Sequence, residues 1–152
     1  MAKVAILIGS KTDEEVMREC ADYLSRFGIE HEMLVSSAHR QPDATAAFVK
    51  AAEKNGFSII IAAAGMAAHL PGVAASHTTL PVIGVPLAGS ALNGVDALYS
   101  IVQMPAGIPV ATVAIGSAGA RNAAVLAVEI LALHDGGIKQ KLIEFRKNGA
   151  RF

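Results

Sequence analysis

Val4-Ala5-Ile6-Leu7-Ile8 is apolar at every position, and so is Ile59-Ile60-Ile61-Ala62-Ala63. Runs this short, with no polar alternation, suit a strand buried on both faces of a parallel sheet. Such a sheet needs helices over both faces and a helical crossover between strands. The rest of the chain supplies them. Thr12 and Glu15 read as a capping box, after which Val16, Met17, Cys20, Leu24 and Phe27 recur at helical spacing and Gly28 stops the helix. A second strand covers 30–35. Pro42 suits a first helical position, Phe48, Ala51 and Ala52 form an inner face, and Asn55-Gly56 ends that helix. The third strand is 57–63, with a helix from about Pro71 to His77 after it. Pro81 to Pro86 reads as a short fourth strand, and a helix from about Val95 to Gln103 follows the Asn93-Gly94 turn. Pro109 to Ile115 reads as the fifth strand. Asn122 caps a helix over 123–134, and a last amphipathic helix covers 138–147.

Five β-α units in a row predict a three-layer α/β fold. The simplest topology with right-handed crossovers is a flavodoxin-like, Rossmann-like five-stranded parallel sheet of order 2-1-3-4-5, plus C-terminal helices. With no internal repeat, linker or low-complexity segment, residues 1–152 read as one domain. Hydrophobic residues make up 53% of the chain and charged residues 17%, so either the core is large or part of the surface is covered by other subunits. The helix 123–134 points to the second. It is apolar nearly all round, with Glu129 its one charge, and a helix apolar on every side is buried on every side. A peripheral helix in a small domain achieves that best at a subunit interface.

Charge excludes some partners. The 13 basic and 13 acidic residues cancel, which gives no electrostatic grip on nucleic acid. The basic-leaning stretch from Lys139 to Arg151 reads as a solvated helix face. The single Cys20 has no internal disulfide partner and lies on the apolar side of its helix, as a buried thiol would. Met1-Ala2-Lys3-Val4 runs straight into a strand without signal-peptide order, and no apolar run approaches the ~18 residues that span a bilayer. The expectation is a cytoplasmic protein without membrane contact.

In an open parallel sheet, ligands bind beyond the carboxyl ends of the strands, at the switch point between the first and third. Three segments lie there: Gly9-Ser10-Lys11-Thr12-Asp13, Ser36-Ser37-Ala38-His39-Arg40-Gln41-Pro42, and Ala64-Gly65-Met66-Ala67-Ala68-His69-Leu70-Pro71-Gly72. Ser10 or Thr12 caps a helix, binds phosphate beside its free N–H groups, or does both. Asp13 repels phosphate, so it reads as an acceptor for sugar hydroxyls or as a favourable first-turn charge. Arg40 suits bidentate phosphate recognition, or else pairs on the surface with Asp43. His39 is either polar surface or a proton-transfer group, since imidazole exchanges protons near neutral pH. Gly65 lets backbone approach a ligand closely. His69 lines the pocket or bonds to backbone ahead of the next helix, with the second preferred.

Other chemistries lose support. His31, His77 and His134 have no partners at metal-ligand spacing, so no metal site is expected. The dinucleotide fingerprint, the phosphate-loop lysine and the nucleophile elbow are all missing. Gly116-Ser117-Ala118-Gly119-Ala120 reads as a strand-to-helix turn. Proton transfer on an anionic, phosphorylated small molecule remains. A flavin- or nucleotide-binding module is a weaker reading, because the first loop lacks a Ser/Thr-rich cradle and the chain has no Trp to cover a flavin.

Gly9-Ser10-x-x-Asp13, Ser37-Ala38-His39-Arg40-x-Pro42, Gly65-x-Ala67-Ala68-His69-Leu70-Pro71-Gly72, Thr79 to Pro86 and Ser100 to Val110 carry a likeness that runs from about Val4 to His134. In these stretches the chain resembles the class I PurE family, the N5-carboxyaminoimidazole ribonucleotide mutases of purine biosynthesis. The resemblance implies a flavodoxin-like subunit, a homo-octamer with active sites where subunits meet, and a reaction without cofactor or metal. It implies a functional link to an ATP-dependent N5-carboxyaminoimidazole ribonucleotide synthetase. His39 matches the family's catalytic histidine. Ser10 and Arg40 would hold the phosphate, and Asp13 the ribose. Ser37, Ala38, Gly65, His69 and Leu70 would shape the base and CO2 pocket. Two positions depart from the family pattern. Met66 replaces a second glycine, and Thr12 stands where serine is usual. The alternative within enzymes is an aminoimidazole ribonucleotide carboxylase using free CO2; Arg40 and the His69-Leu70-Pro71-Gly72 run favour the mutase.

Overall fold

The computed structural model describes residues 2–152. Five parallel strands form one sheet of order β2-β1-β3-β4-β5. They are β1 (Lys3–Ile8), β2 (Glu30–Val35), β3 (Phe57–Gly65), β4 (Val82–Leu87) and β5 (Ala111–Thr112). Six helices cover it: α1 (Glu14–Phe27), α2 (Pro42–Ala52), α3 (Leu70–Ser76), α4 (Val95–Val102), α5 (Ser117–Leu131) and α6 (Gly136–Lys147). This is the flavodoxin-like arrangement expected from the repeat of β-α units.

The all-apolar strands serve two cores by simple alternation. Val4, Ile6, Ile8, Ile59, Ile61 and Ala63 face α1, α5 and α6. Ala5, Leu7, Ile60, Ala62 and Ala64 face α2, α3 and α4. On the first face α1 buries Met17, Cys20, Leu24 and Phe27. Burial pushes the Cys20 thiol up to about 12, so it stays protonated and unreactive. No helix among the described residues is long and apolar enough to cross a membrane.

Several boundaries shift from the sequence reading, and three of the shifts have a clear physical cause. The cap at the start of the α1 region lies two residues earlier than the Thr12–Glu15 box. Extended Ser10 is the N-cap of a 3-10 turn over Lys11–Asp13; its Oγ accepts from the Thr12 N–H at 3.4 Å, and its own N–H donates to Asp13 Oδ2 at 3.1 Å. Thr12 is already inside the turn, so its hydroxyl pairs with Ser10 Oγ instead. The fifth strand keeps ladder pairing only at Ala111 and Thr112, opposite Ile83 and Gly84. Beyond Gly84, β4 therefore has no β5 ladder on that side, which lets Pro86 continue the strand without an N–H.

The third difference is α5, which begins at Ser117 rather than after Asn122. Gly116 turns the chain at φ 76°, ψ −144°, a region essentially reserved for glycine. Gly119 then lies so close to β5's continuation that a Cβ would sit 1.7 Å from the Ala114 carbonyl oxygen. Gly119, Ala120, Ala123, Ala124, Ala127 and Val128 are the buried stripe, and Asn122 points outward mid-helix. Val125, Leu126, Ile130 and Leu131 are only half-buried, so the single chain covers part of the helix and not all of it. Glu19 of α1 fastens its start. One carboxylate oxygen accepts from Ser117 Oγ at 2.7 Å and the other from Arg121 Nε.

Two outcomes follow from these contacts. Gly119→Ala must displace backbone rather than a side-chain end, at about 2–4 kcal/mol, and lowers the thermal midpoint by roughly 5–10 °C. The hydrogen bond from Ser117 and then the Arg121 contacts hold the Glu19 carboxyl below its usual range. A depressed acid stabilises the fold above its unfolded value, near ~4.3, and loses that contribution as pH falls through the folded value. In urea titrations the gap between the native chain and Glu19→Gln is therefore present at neutral pH and closes in acid below about pH 4.

Candidate active site

Ile8 is in register with both Val35 of β2 and Ala63 of β3. The three following segments consequently leave the sheet at one level. Gly9 N–H donates to the Ala63 carbonyl at 3.1 Å and Ser36 N–H to the Ile8 carbonyl at 2.8 Å, which ties the loop bases together. They enclose a cavity of about 310 Å³, at the lower end for a small-molecule site. Its wall is Gly9, Ser10, Thr12 and Asp13 from the first segment, and Ser37, Ala38 and His39 from the second. The third gives Ala64, Gly65, Met66, Ala67, His69 and Leu70.

The second segment is a tight turn built on Ser37. Its Oγ accepts from the Arg40 N–H at 3.2 Å and its carbonyl from the Gln41 N–H at 2.9 Å, which presents His39 at the apex. Beneath, the buried Ser36 and Thr45 hydroxyls bond to each other at 2.8 Å and anchor the turn to α2. The third segment runs through two narrow turns. Ala68 N–H donates to the Met66 carbonyl at 2.9 Å and His69 N–H to the Ala67 carbonyl at 2.7 Å. Met66 has φ 56°, a left-handed conformation that costs a residue with a Cβ about 1 kcal/mol. Gly65 turns out to be set by the sheet, since a Cβ there would lie 3.3 Å from the Leu87 carbonyl oxygen.

These turns bring the two histidines together. His39 Nε2 and His69 Nδ1 are 2.5 Å apart with the rings edge to face. One nitrogen must donate and the other accept, so the pair shares a proton along that edge. His69 is thus a cavity residue bonded to His39, not a group turned back on the backbone. Asp13 is half-buried in the wall. Burial pushes its carboxyl up, partly offset by the Ser10 N–H it accepts. An anionic Asp13 would gain from further donors such as sugar hydroxyls.

Ser10, Thr12, Asp13, Ser37, Ala38, His39, Gly65, Met66, His69 and Leu70 all line the cavity, as the strand-end argument expects. Arg40 does not. It is exposed beside His39, outside the wall, with no acidic partner within 4 Å among the described residues, so the alternative of a surface pair with Asp43 is not met. Gly89 completes the wall and escaped the sequence reading. The signal was there, because it follows the fourth strand just as the other segments follow theirs. Among the described residues no three His, Cys, Asp or Glu side chains cluster as a metal site would require.

The chain matches the AIR carboxylase family over residues 3–151. It is 54% identical over 146 residues to the N5-carboxyaminoimidazole ribonucleotide mutase of Escherichia coli (strain K12), spanning 96% of this chain and 86% of that one. It is also 54% identical over 148 residues to the protein of that name from Saccharolobus solfataricus, spanning 97% and 92%. The crystal structure of Treponema denticola PurE superimposes with a TM-score of 0.87 at 29% identity, covering 99% of this chain and 92% of the other. With nearly its whole length matched, this chain belongs to the AIR carboxylase family.

Proposed function

We propose that the chain is an isomerase that converts N5-carboxyaminoimidazole ribonucleotide to 4-carboxyaminoimidazole ribonucleotide, the mutase step of purine biosynthesis. The single observation that carries the mechanism is the His39–His69 pair inside a cavity that the Ser10–Asp13 turn also lines. Direct carboxylation of aminoimidazole ribonucleotide by free CO2 is less favoured, since the relatives cited are mutases at more than half identity.

The reaction moves a carboxylate from the exocyclic nitrogen to ring carbon C4. Breaking the N–C bond releases CO2 and leaves the electron pair on nitrogen, which takes a proton from His39. C4 of the resulting enamine attacks the trapped CO2. His39 then removes the C4 proton, which restores the aromatic ring and the starting protonation state. One imidazole suffices because it gives one proton to the nitrogen and takes up another from C4, ending as it began. His69 Nδ1 accepting from His39 Nε2–H would leave His39 Nδ1 as the nitrogen that faces the substrate.

Binding divides along the cavity. The Ser10 and Thr12 hydroxyls at the start of the α1 region suit phosphate, and the exposed Arg40 guanidinium is free to close on it. Asp13 takes the ribose hydroxyls, and the Ala38, Gly65, Met66 and Leu70 wall takes the base. The chain works as one domain, needs no cofactor, and assembles as a homo-octamer in the cytoplasm. Apolar Leu92, Val95, Tyr99 and Val102, exposed on and just before α4, support the assembly. An ATP-dependent N5-carboxyaminoimidazole ribonucleotide synthetase would supply the carbamate substrate.

The test is turnover of N5-carboxyaminoimidazole ribonucleotide without ATP or added metal. The native chain converts it, and His39→Asn lowers kcat about 10³-fold or more while unfolding at the native temperature. An active His39→Asn protein removes His39 from the chemistry. Arg40→Ala raises KM roughly 10- to 100-fold, the loss of a charged hydrogen-bonding pair, with a smaller change in kcat. An unchanged KM takes Arg40 out of the phosphate site.

A further inference from the structure

Where α1, α5 and α6 meet the segment 150–151, a second cleft of about 520 Å³ opens. It shares no wall residue with the catalytic cavity. Three arginines line it: Arg121 from α5, Arg146 from α6, and Arg151 just beyond α6. No Asp or Glu belongs to that wall, although acidic and basic residues balance over the whole chain. Three like charges around one cleft repel one another, and an anion among them removes the repulsion.

Two of the guanidiniums are oriented from outside the cleft. Arg121 Nε donates to Glu19, and one terminal nitrogen of Arg146 donates to Glu129 Oε1 at 2.6 Å. Each contact occupies one nitrogen of a fork that carries five N–H groups. The carboxylates therefore hold the forks in place and leave donors over. Arg151 has no acidic partner within 4 Å among the described residues. Asn122 and Tyr23 bring an amide and a hydroxyl to the same wall. The Tyr23 ring is braced edge-on by Phe145 and Phe152, with centroids 6.1 and 5.2 Å away.

We infer that this cleft is a second anion site, which binds a phosphate group on Arg121, Arg146 and Arg151. Planar forks match phosphate oxygens two at a time, which a single point charge does not do. The occupant is inorganic phosphate or a small phosphomonoester, and Asn122 and Tyr23 are placed to meet the polar part of the latter.

The experiment is calorimetric titration at low ionic strength, where exposed charges are least screened. Adenosine monophosphate, inorganic phosphate and adenosine are the probes. Arg40→Ala is the background, because it weakens the phosphate site proposed for catalysis. In that protein the phosphate-bearing probes bind and adenosine does not. Adding Arg151→Ala weakens their binding about 10-fold or more at an unchanged melting temperature. Arg151→Lys in its place restores part of the affinity, since it keeps the charge and loses the fork. Arg151→Ala alone leaves turnover of N5-carboxyaminoimidazole ribonucleotide unchanged. Equal affinity with and without Arg151 overturns the inference, and so does adenosine binding as tightly as its monophosphate. Tighter binding of the monophosphate than of inorganic phosphate assigns the site to a phosphomonoester. Equal binding of the two assigns it to the phosphate group alone, and either result upholds the anion site.

Discussion

The parallel pairing of β1 with both β2 and β3 is the constraint on which the site depends. Because Ile8 pairs with Val35 on one side and Ala63 on the other, three loops depart from one level of the sheet. The crossovers after β1 and β3 pass to opposite faces, so the loops diverge and leave a crevice between them. A shift of one residue along β1 would turn its apolar set from one core to the other and raise the Ser10–Asp13 turn relative to the His39 loop. Burial on both faces makes that shift costly, and so the packing of Ile6, Leu7 and Ile8 sets the geometry of the cavity.

Rigidity below and exposure above follow from the same arrangement. Ile8, Ala63 and Ser36 are buried and hydrogen-bonded, whereas Ser10, His39, Arg40, Met66 and His69 stand in the exposed layer one or a few residues further on. The loops are short enough that their bonds are local: Ser10 with Asp13, Ser37 with Arg40 and Gln41, Met66 with Ala68. Each turn is fixed within itself and anchored at its base, which leaves the outward side chains free to meet a substrate.

The strands, the order of the sheet and the switch point were legible in the sequence because each is encoded by contiguous residues: apolar runs, caps and the β-α repeat. The start of α5 was not, because the reading of Asn122 as a cap weighed local propensity. The structure obeys Gly116 and Gly119 instead, whose need is the approach of a helix to the Ala114 carbonyl. Nor was the cap of the α1 region, where Ser10 and Thr12 offer the same hydroxyl and only backbone conformation distinguishes them. For His69 the sequence left pocket lining and a backbone bond both open, and its side-chain partner was not legible. Its contact with His39 spans 30 residues and depends on the left-handed turn at Met66, which no spacing rule announces.

That contact also constrains both imidazoles of the pair. A lone exposed imidazole samples both tautomers and several ring orientations. A ring whose Nε2 is bonded at 2.5 Å to a neighbour has one nitrogen committed and the other directed away from it. The neighbour must itself be held, and His69 is, because its own N–H donates to the Ala67 carbonyl and its carbonyl accepts from the Val73 N–H at the start of α3. The chain of support therefore runs from α3 through His69 to His39. Met66, two residues before the buried Ala68, is where the backbone bends to make that support reach the cavity. Its conformation thus serves the histidine pair.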